Sequence, residues 1–255
     1  MQDLELWFEK AGLPIKVEKE PLQSVISVNN QDIFQMSIDI KGKKNKREYF
    51  RVFHGHENND VRVIDADSGN QQVILLVSEP EREYSTRQWS SEKNDWIYVK
   101  QRSPGYLRKY LCGFDEKHLF IAELPNNLGA VNKVKDAHRI LKPEYVATKE
   151  KVTGRIKRQG EWFFIPVSNE EQNLIEANMN LIEKKDRIGG GWRGNAHIAD
   201  QLLRIREKEY VSGKVSHIEH KTLKLHEWFR VERNAEARIT GTQSAYITNG
   251  VKWVD

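Results

Sequence analysis

Apolar and polar residues alternate over much of the first 125 positions, and alternation at period two marks strands with one buried face. Asp32–Ile40 and Glu48–Phe53 flank the turn Lys41-Gly42-Lys43-Lys44-Asn45-Lys46, which predicts a hairpin. Val61–Ile64 and Gln72–Val77 predict a second hairpin, turning at Asp67-Ser68-Gly69-Asn70. Tyr106–Gly113 and His118–Leu124, joined across Phe114–Lys117, give a third, and Asp95–Lys100 adds another strand. Before all of these, residues 3–12 fit one short amphipathic helix, ended by Gly12-Leu13-Pro14.

The period then changes. Val131, Val134, Ala137, His138 and Leu141 fall on one face of a helix that Pro143 stops. Pro143–Lys151 is polar and aperiodic, which places a boundary between a mostly antiparallel β domain over residues 1–145 and an α+β domain over 150–255. The second part opens with a hairpin: Val152–Lys157, a turn at Arg158–Glu161, then Trp162–Val167. Ser168 with Glu171 forms a capping box for a helix expected over 169–185. Leu174, Ile175, Ala177, Asn178, Leu181 and Ile182 give that helix a broad stripe, suited to a core or to a protein partner. His197–Ile205 fits helix or strand equally; Tyr210–Ser216, Thr222–Val231 and Ala245–Trp253 read as strands. The expected class is α+β, with strand-rich antiparallel sheets, two or three helices and two subdomains.

Composition narrows the setting. Of 255 residues, 38% are hydrophobic and 31% charged, but seven Trp, eight Tyr and nine Phe supply enough apolar area for a core and argue against disorder. No apolar run approaches the length of a membrane span, and the acidic, amphipathic first ten residues do not resemble a secretory signal. One cysteine, Cys112, precludes an internal disulfide or a zinc site built from several thiolates, and points to the cytoplasm. The formal charge of +4 lies entirely after residue 150, a modest excess that permits an anionic partner.

Four of the eight histidines, His197, His217, His220 and His226, fall within thirty residues. His217-Ile218-Glu219-His220 offers three donors in four positions, and His226 shares a face with His220 if the chain between them stays extended. A divalent metal held by His217, His220 and His226 is one reading; a hydrolase or nuclease using His197, His217, Glu219 and His220 is its catalytic extension. The spacing matches no named zinc signature, and solvated turn histidines are the alternative. His54-Gly55-His56 is a smaller cluster at a strand end, where two imidazoles on one face would suit a metal or a phosphate, but a loop with solvated histidines is the favoured reading. Gly189-Gly190-Gly191-Trp192-Arg193-Gly194 lacks the Lys-Ser/Thr ending of a phosphate loop and reads as a connection from which Arg193 could reach an anion.

Cations interleaved with aromatics form the third signal. Lys43, Lys44 and Arg47 crowd one turn; Arg102, Tyr106, Arg108 and Lys109 lie in another basic stretch; Arg155, Lys157, Arg158 and Trp162 lie on the predicted hairpin. Single-stranded nucleic acid is bound through such surfaces, with cations following phosphates and aromatic faces stacking on bases. The leading expectation is therefore a nucleic-acid-binding accessory protein, for RNA or single-stranded DNA. A histidine-based, metal-dependent hydrolase is the second expectation and a structural subunit the third.

Overall fold

The computed structural model describes residues 3–22, 33–42, 47–115, 118–125, 131–189, 196–218 and 220–235. The fold is α+β, with mostly antiparallel sheets, and the chain divides into two compact units. The N-terminal unit is chiefly Met1–Phe114 with Leu119–Ala137; the C-terminal unit is chiefly His138–Ala235.

Helix α1 (Leu4–Lys10) is capped by Asp3, whose carboxylate accepts from the Leu6 amide at 3.1 Å. Leu4 and Phe8, one turn apart, are both buried. Strands β1 (Ile15–Glu18), β2 (Gln35–Lys41) and β3 (Arg47–Phe53) form a sheet in the order β1-β3-β2, with β1 parallel to β3. Strands β4 (Asp60–Asp67), β5 (Gln72–Glu79), β8 (Tyr106–Asp115) and β9 (His118–Glu123) form a second, in the order β4-β5-β8-β9. Between β5 and β8 the chain makes a separate two-stranded ribbon, β6 (Arg82–Ser90) with β7 (Asp95–Ser103). One core unites α1 with both larger sheets through Phe8, Met36, Phe50, Val52, Val73, Leu75 and Cys112. Phe8 meets Phe50 edge-on at 5.4 Å between centroids. Strand β5 reads Gln-Val-Ile-Leu-Leu-Val without alternation because all six of those residues are buried.

Helix α2 (Val134–Leu141) buries Val134, Ala137 and Leu141, and the chain passes into the second unit within it. The polar stretch Pro143–Lys151 expected as a boundary is instead largely helix α3 (Glu144–Thr153). Pro143 suits the position just ahead of a first turn, and Gly154 ends the helix in the left-handed region at φ 59°. Within α3 only Val146 is buried, packing on Phe163 and Ile165 with the half-buried Tyr145 beside it, so two adjacent residues hold a helix that has no apolar stripe.

Strands β10 (Lys157–Gln159), β11 (Trp162–Pro166), β12 (Glu183–Arg187), β13 (Ile198–Ile205), β14 (Lys208–Ser216) and β15 (Leu223–Arg233) form one antiparallel sheet in the order β10-β11-β15-β14-β13-β12. One face gathers Phe164, Ala199, Leu202, Val211, Val215, Leu225 and Phe229. The sheet curls on itself, since a Cβ on Gly189, just past the edge strand β12, would come within 2.7 Å of the Trp162 ring. Helix α4 (Asn169–Glu176) carries the expected capping box, with reciprocal bonds between Ser168 and Glu171, but stops nine residues before the expected end at 185. The Asn178 side chain donates to the Leu174 carbonyl, a short 3-10 turn follows at Met179–Leu181, and residues 183–187 extend as β12. Arg204 fixes that edge strand through Asp186 at 2.7 Å, the Arg187 carbonyl at 2.7 Å, and Glu183. Among the described residues no helix is long and apolar enough to cross a membrane.

Candidate metal centre

Strands β13, β14 and β15 follow one another in antiparallel order, so the start of β13, the end of β14 and the start of β15 meet at one end of the sheet. Ile198 pairs with Ser216, and Val215 with Leu223. His197 stands one residue before β13, His217 one residue after β14, and His220 in the connection to β15. The ladder thus brings His197 to His217 and His220, twenty and twenty-three residues further along the chain. A bulge tunes their approach. Gly213, at φ 86°, sits so close to Asp200 that a Cβ there would lie 2.8 Å from that side chain, and the Asp200 carboxylate accepts from the Lys214 amide at 2.9 Å. A bulge of this kind bends its strand and re-aims the residues beyond it.

The His197 and His217 rings stack at 4.2 Å with 16° between planes; His217 and His220 are 4.8 Å apart, His197 and His220 5.4 Å. One ring nitrogen from each lies within 4.8 Å of the other two. Tetrahedral zinc with Zn–N bonds near 2.0–2.1 Å separates its nitrogens by roughly 3.4 Å, so closing on an ion from 4.8 Å takes about 1.4 Å of movement. His197 is almost fully buried and the other two half-buried. Nε2 of His197 and Nδ1 of His220 are buried with no hydrogen-bond partner. Buried nitrogens of this kind are costly unless something is bound to them. Burial, reinforced by the neighbouring His217 and His220, pushes the His197 pKa down to about 3, so its ring is neutral at physiological pH, the form in which imidazole ligates metals.

The turn between β10 and β11 supplies the fourth side. Gly160, at φ 55°, lies so that a Cβ would fall 2.8 Å from His220 Nε2 and 3.5 Å from His197 Nε2. Gln159 anchors this turn by donating from Nε2 to the Lys221 carbonyl at 2.7 Å, while its own Oε1 is buried with no partner. An open cleft beside His217 is lined by Ala196, Ile198, Ser216, His217 and Ile218. Three imidazoles gathered at one end of the sheet form a donor set that suits zinc or a similar divalent ion.

Of the histidines singled out in the sequence, His226 does not join. It is exposed on β15 and lines a separate groove with Arg155, Lys157 and Phe229. The expected shared face with His220 required unbroken extension, but β15 begins only at Leu223 and its pairing with β14 shifts between Leu225 and Phe229. Glu219, Arg193, Lys43 and Lys44 lie outside the described residues. Gly160 and Gln159 were not anticipated; the turn glycine was their only signal in the sequence.

The basic stretches divide on folding. Arg108 is buried against Glu123 at 4.0 Å with its guanidinium over Tyr106, and Lys109 is buried and donates to the Val131 carbonyl. Neither cation is available to a phosphate backbone, because each serves the interior. Trp162 is half-buried against the curled sheet rather than open for stacking. Arg47 and Arg102 are exposed, the latter beside Glu81. Arg155 pairs with Glu227 at 3.1 Å, Lys157 donates to the Lys224 carbonyl, and Arg158 to the Gly160 carbonyl.

No protein-family model, curated protein or solved structure matches the chain.

Proposed function

We propose that this protein is a metal-dependent hydrolase whose divalent ion is held by His197, His217 and His220. The observation that carries the reading is the convergence of three imidazoles, from three separate strand ends, with their nitrogens within 4.8 Å. The partnerless nitrogens of His197 and His220 support it, because each is a buried polar atom without a hydrogen bond. A purely structural zinc site is closed by a fourth side chain, whereas three ligands and an opening are the arrangement of sites that act on water. His197, His217 and His220 would hold the ion, which would supply a water made acidic enough to act as a nucleophile near neutral pH on a phosphorus or carbonyl centre.

The surroundings favour an anionic substrate. Imidazole ligands would leave the ion's double positive charge uncompensated, and Arg158 on β10 and Lys221 beside His220 stand exposed near the site. Phosphate esters are the class that this field attracts. The single unpaired cysteine, Cys112, buried in a core, accords with a cytoplasmic setting. Untagged protein loaded with zinc or manganese should cleave a chromogenic phosphodiester or phosphomonoester in preference to a carboxylic ester. Activity should vanish on chelation and return on reloading. Retained hydrolysis by a His217→Ala/His220→Ala double variant would end this reading.

A further inference from the structure

The β6–β7 ribbon of the N-terminal unit reverses the usual relation between residue type and exposure. Residues directly opposite in an antiparallel pair share a face, as do alternate residues along each strand. Trp89 pairs with Trp96 and Glu83 with Arg102, so Glu83, Trp89, Trp96, Tyr98, Lys100 and Arg102 occupy one face. That face is the open one: Trp89, Trp96 and Tyr98 are 49%, 50% and 76% exposed, and Lys100 and Arg102 are exposed beside them. The aliphatic residues Ile97 and Val99, on the other face, are only half-exposed. Large aromatics displayed together on a two-stranded ribbon mark a surface made to be covered.

We infer that this face binds single-stranded nucleic acid, with Trp89, Trp96 and Tyr98 stacking on bases and Lys100 and Arg102 following the phosphates. Along β7 the sequence of exposed positions 96, 98, 100 and 102 is Trp, Tyr, Lys, Arg, so ring faces run directly into two cations. Stacking platforms continued by positive charge are the requirement for sequence-tolerant binding of single strands. The Trp89 and Trp96 rings already hold each other edge-on at 5.7 Å, which limits the freedom that binding would have to remove. Arg102 also meets Glu81, but as a surface pair 72% exposed on the arginine side, which leaves it free to exchange partners. A lipid surface fits less well: the ribbon's tip, Ser91-Glu92-Lys93-Asn94, is polar, charged and exposed, and would have to enter the bilayer first. The inference does not rest on the histidine site. It keeps the nucleic-acid partner expected from the sequence but moves it to aromatic residues that the cation-rich stretches did not include.

The test is anisotropy of labelled oligo-dT, oligo-rU and a DNA duplex titrated with the full-length protein at low and moderate salt. Both single strands should bind at least tenfold more tightly than duplex. Trp96→Ala and Tyr98→Ala should each weaken single-strand binding by roughly 5- to 150-fold, the range of one lost stack, while Tyr98→Phe, which keeps the ring, should bind like the parent. Lys100→Glu/Arg102→Glu should lower the slope of log affinity against log salt by about 1.4, as expected for two phosphate contacts on a single strand. Unchanged affinity in Tyr98→Ala would overturn the inference, and so would equal binding of duplex. Two further outcomes would also replace it: a dimer, without oligonucleotide, that Trp96→Ala dissociates, or binding to anionic vesicles in place of oligonucleotides. Metal content should be the same in all these variants.

Discussion

His54 and His56 in the N-terminal unit, and His197, His217 and His220 in the C-terminal unit, are the same side chain in two kinds of place. The first two are separated by one residue, yet they do different things. Gly55, at φ 75°, turns the chain between them. Nδ1 of His56 accepts from the Asn58 amide at 3.1 Å, which commits that nitrogen to the turn. Nδ1 of His54 is buried without a partner, and burial lowers that ring's pKa. Among the described residues, the His197 group alone converges on a point with three donors. Proximity in sequence places two imidazoles on one segment, where a single turn decides both. Strand pairing can instead carry a distant ring, His197, onto two that share the β14–β15 connection.

That contrast can be broken or sharpened experimentally, and ion removal should have the largest effect. At an ion concentration about a thousand times Kd, zinc should stabilise the C-terminal unit by about 4 kcal/mol. Thermal denaturation with and without chelator reads this, and His54→Ala/His56→Ala should leave the difference intact. Next comes ligand loss. His197→Ala, His217→Ala and His220→Ala should each weaken zinc binding by more than about 100-fold, beyond the range usual for groups that merely orient a ligand. Calorimetric titration measures it, with His226→Ala as the near-neutral control.

Acid should act on both groups in the same direction, and on His197 most. A histidine whose folded pKa is depressed contributes stability that is present above its unfolded pKa and is lost as pH falls. For His197 the window runs from about 6.5 down to about 3, so the metal-free protein should lose about 2 kcal/mol between pH 6.5 and pH 5. Chemical denaturation at the two pH values reads the loss, and His197→Gln should remove most of it. The smallest effect compares two glycines. Gly55→Ala would press a Cβ to 2.6 Å from the Ile33 carbonyl carbon, a backbone clash that costs more than about 1 kcal/mol of stability without touching metal affinity. Gly160→Ala would instead meet the imidazole nitrogens, so it should weaken zinc binding more than it lowers the melting temperature.

Local signals were legible in proportion to how local their physics is. The Ser168–Glu171 capping box, the short first helix and the hairpins at 35–53 and 60–79 need only neighbouring residues, and they stand as the pattern implied. Strand β6, by contrast, mixes Arg, Glu, Tyr, Ser and Trp with no apolar alternation, because both Trp89 and its partner face outward. Residues 183–187 carry no apolar position to mark a strand; what extends them is Arg204, contributed by β13. The candidate site divides the same way. His217 and His220 were legible as a pair and His197 as a neighbour, but their convergence depends on register and on the Gly213 bulge. His226 fell outside for the same reason, since register and not spacing assigns a residue's face.

Cobalt(II) titration followed by visible absorption tests the central claim most directly, because it reports both stoichiometry and ligand geometry. The account predicts one ion per chain with the intense band of a four-coordinate site, lost in His217→Ala/His220→Ala and unchanged in His54→Ala/His56→Ala. A parent protein that binds cobalt no more tightly than the double variant, or only with the weak absorption of the hexa-aqua ion, would contradict it.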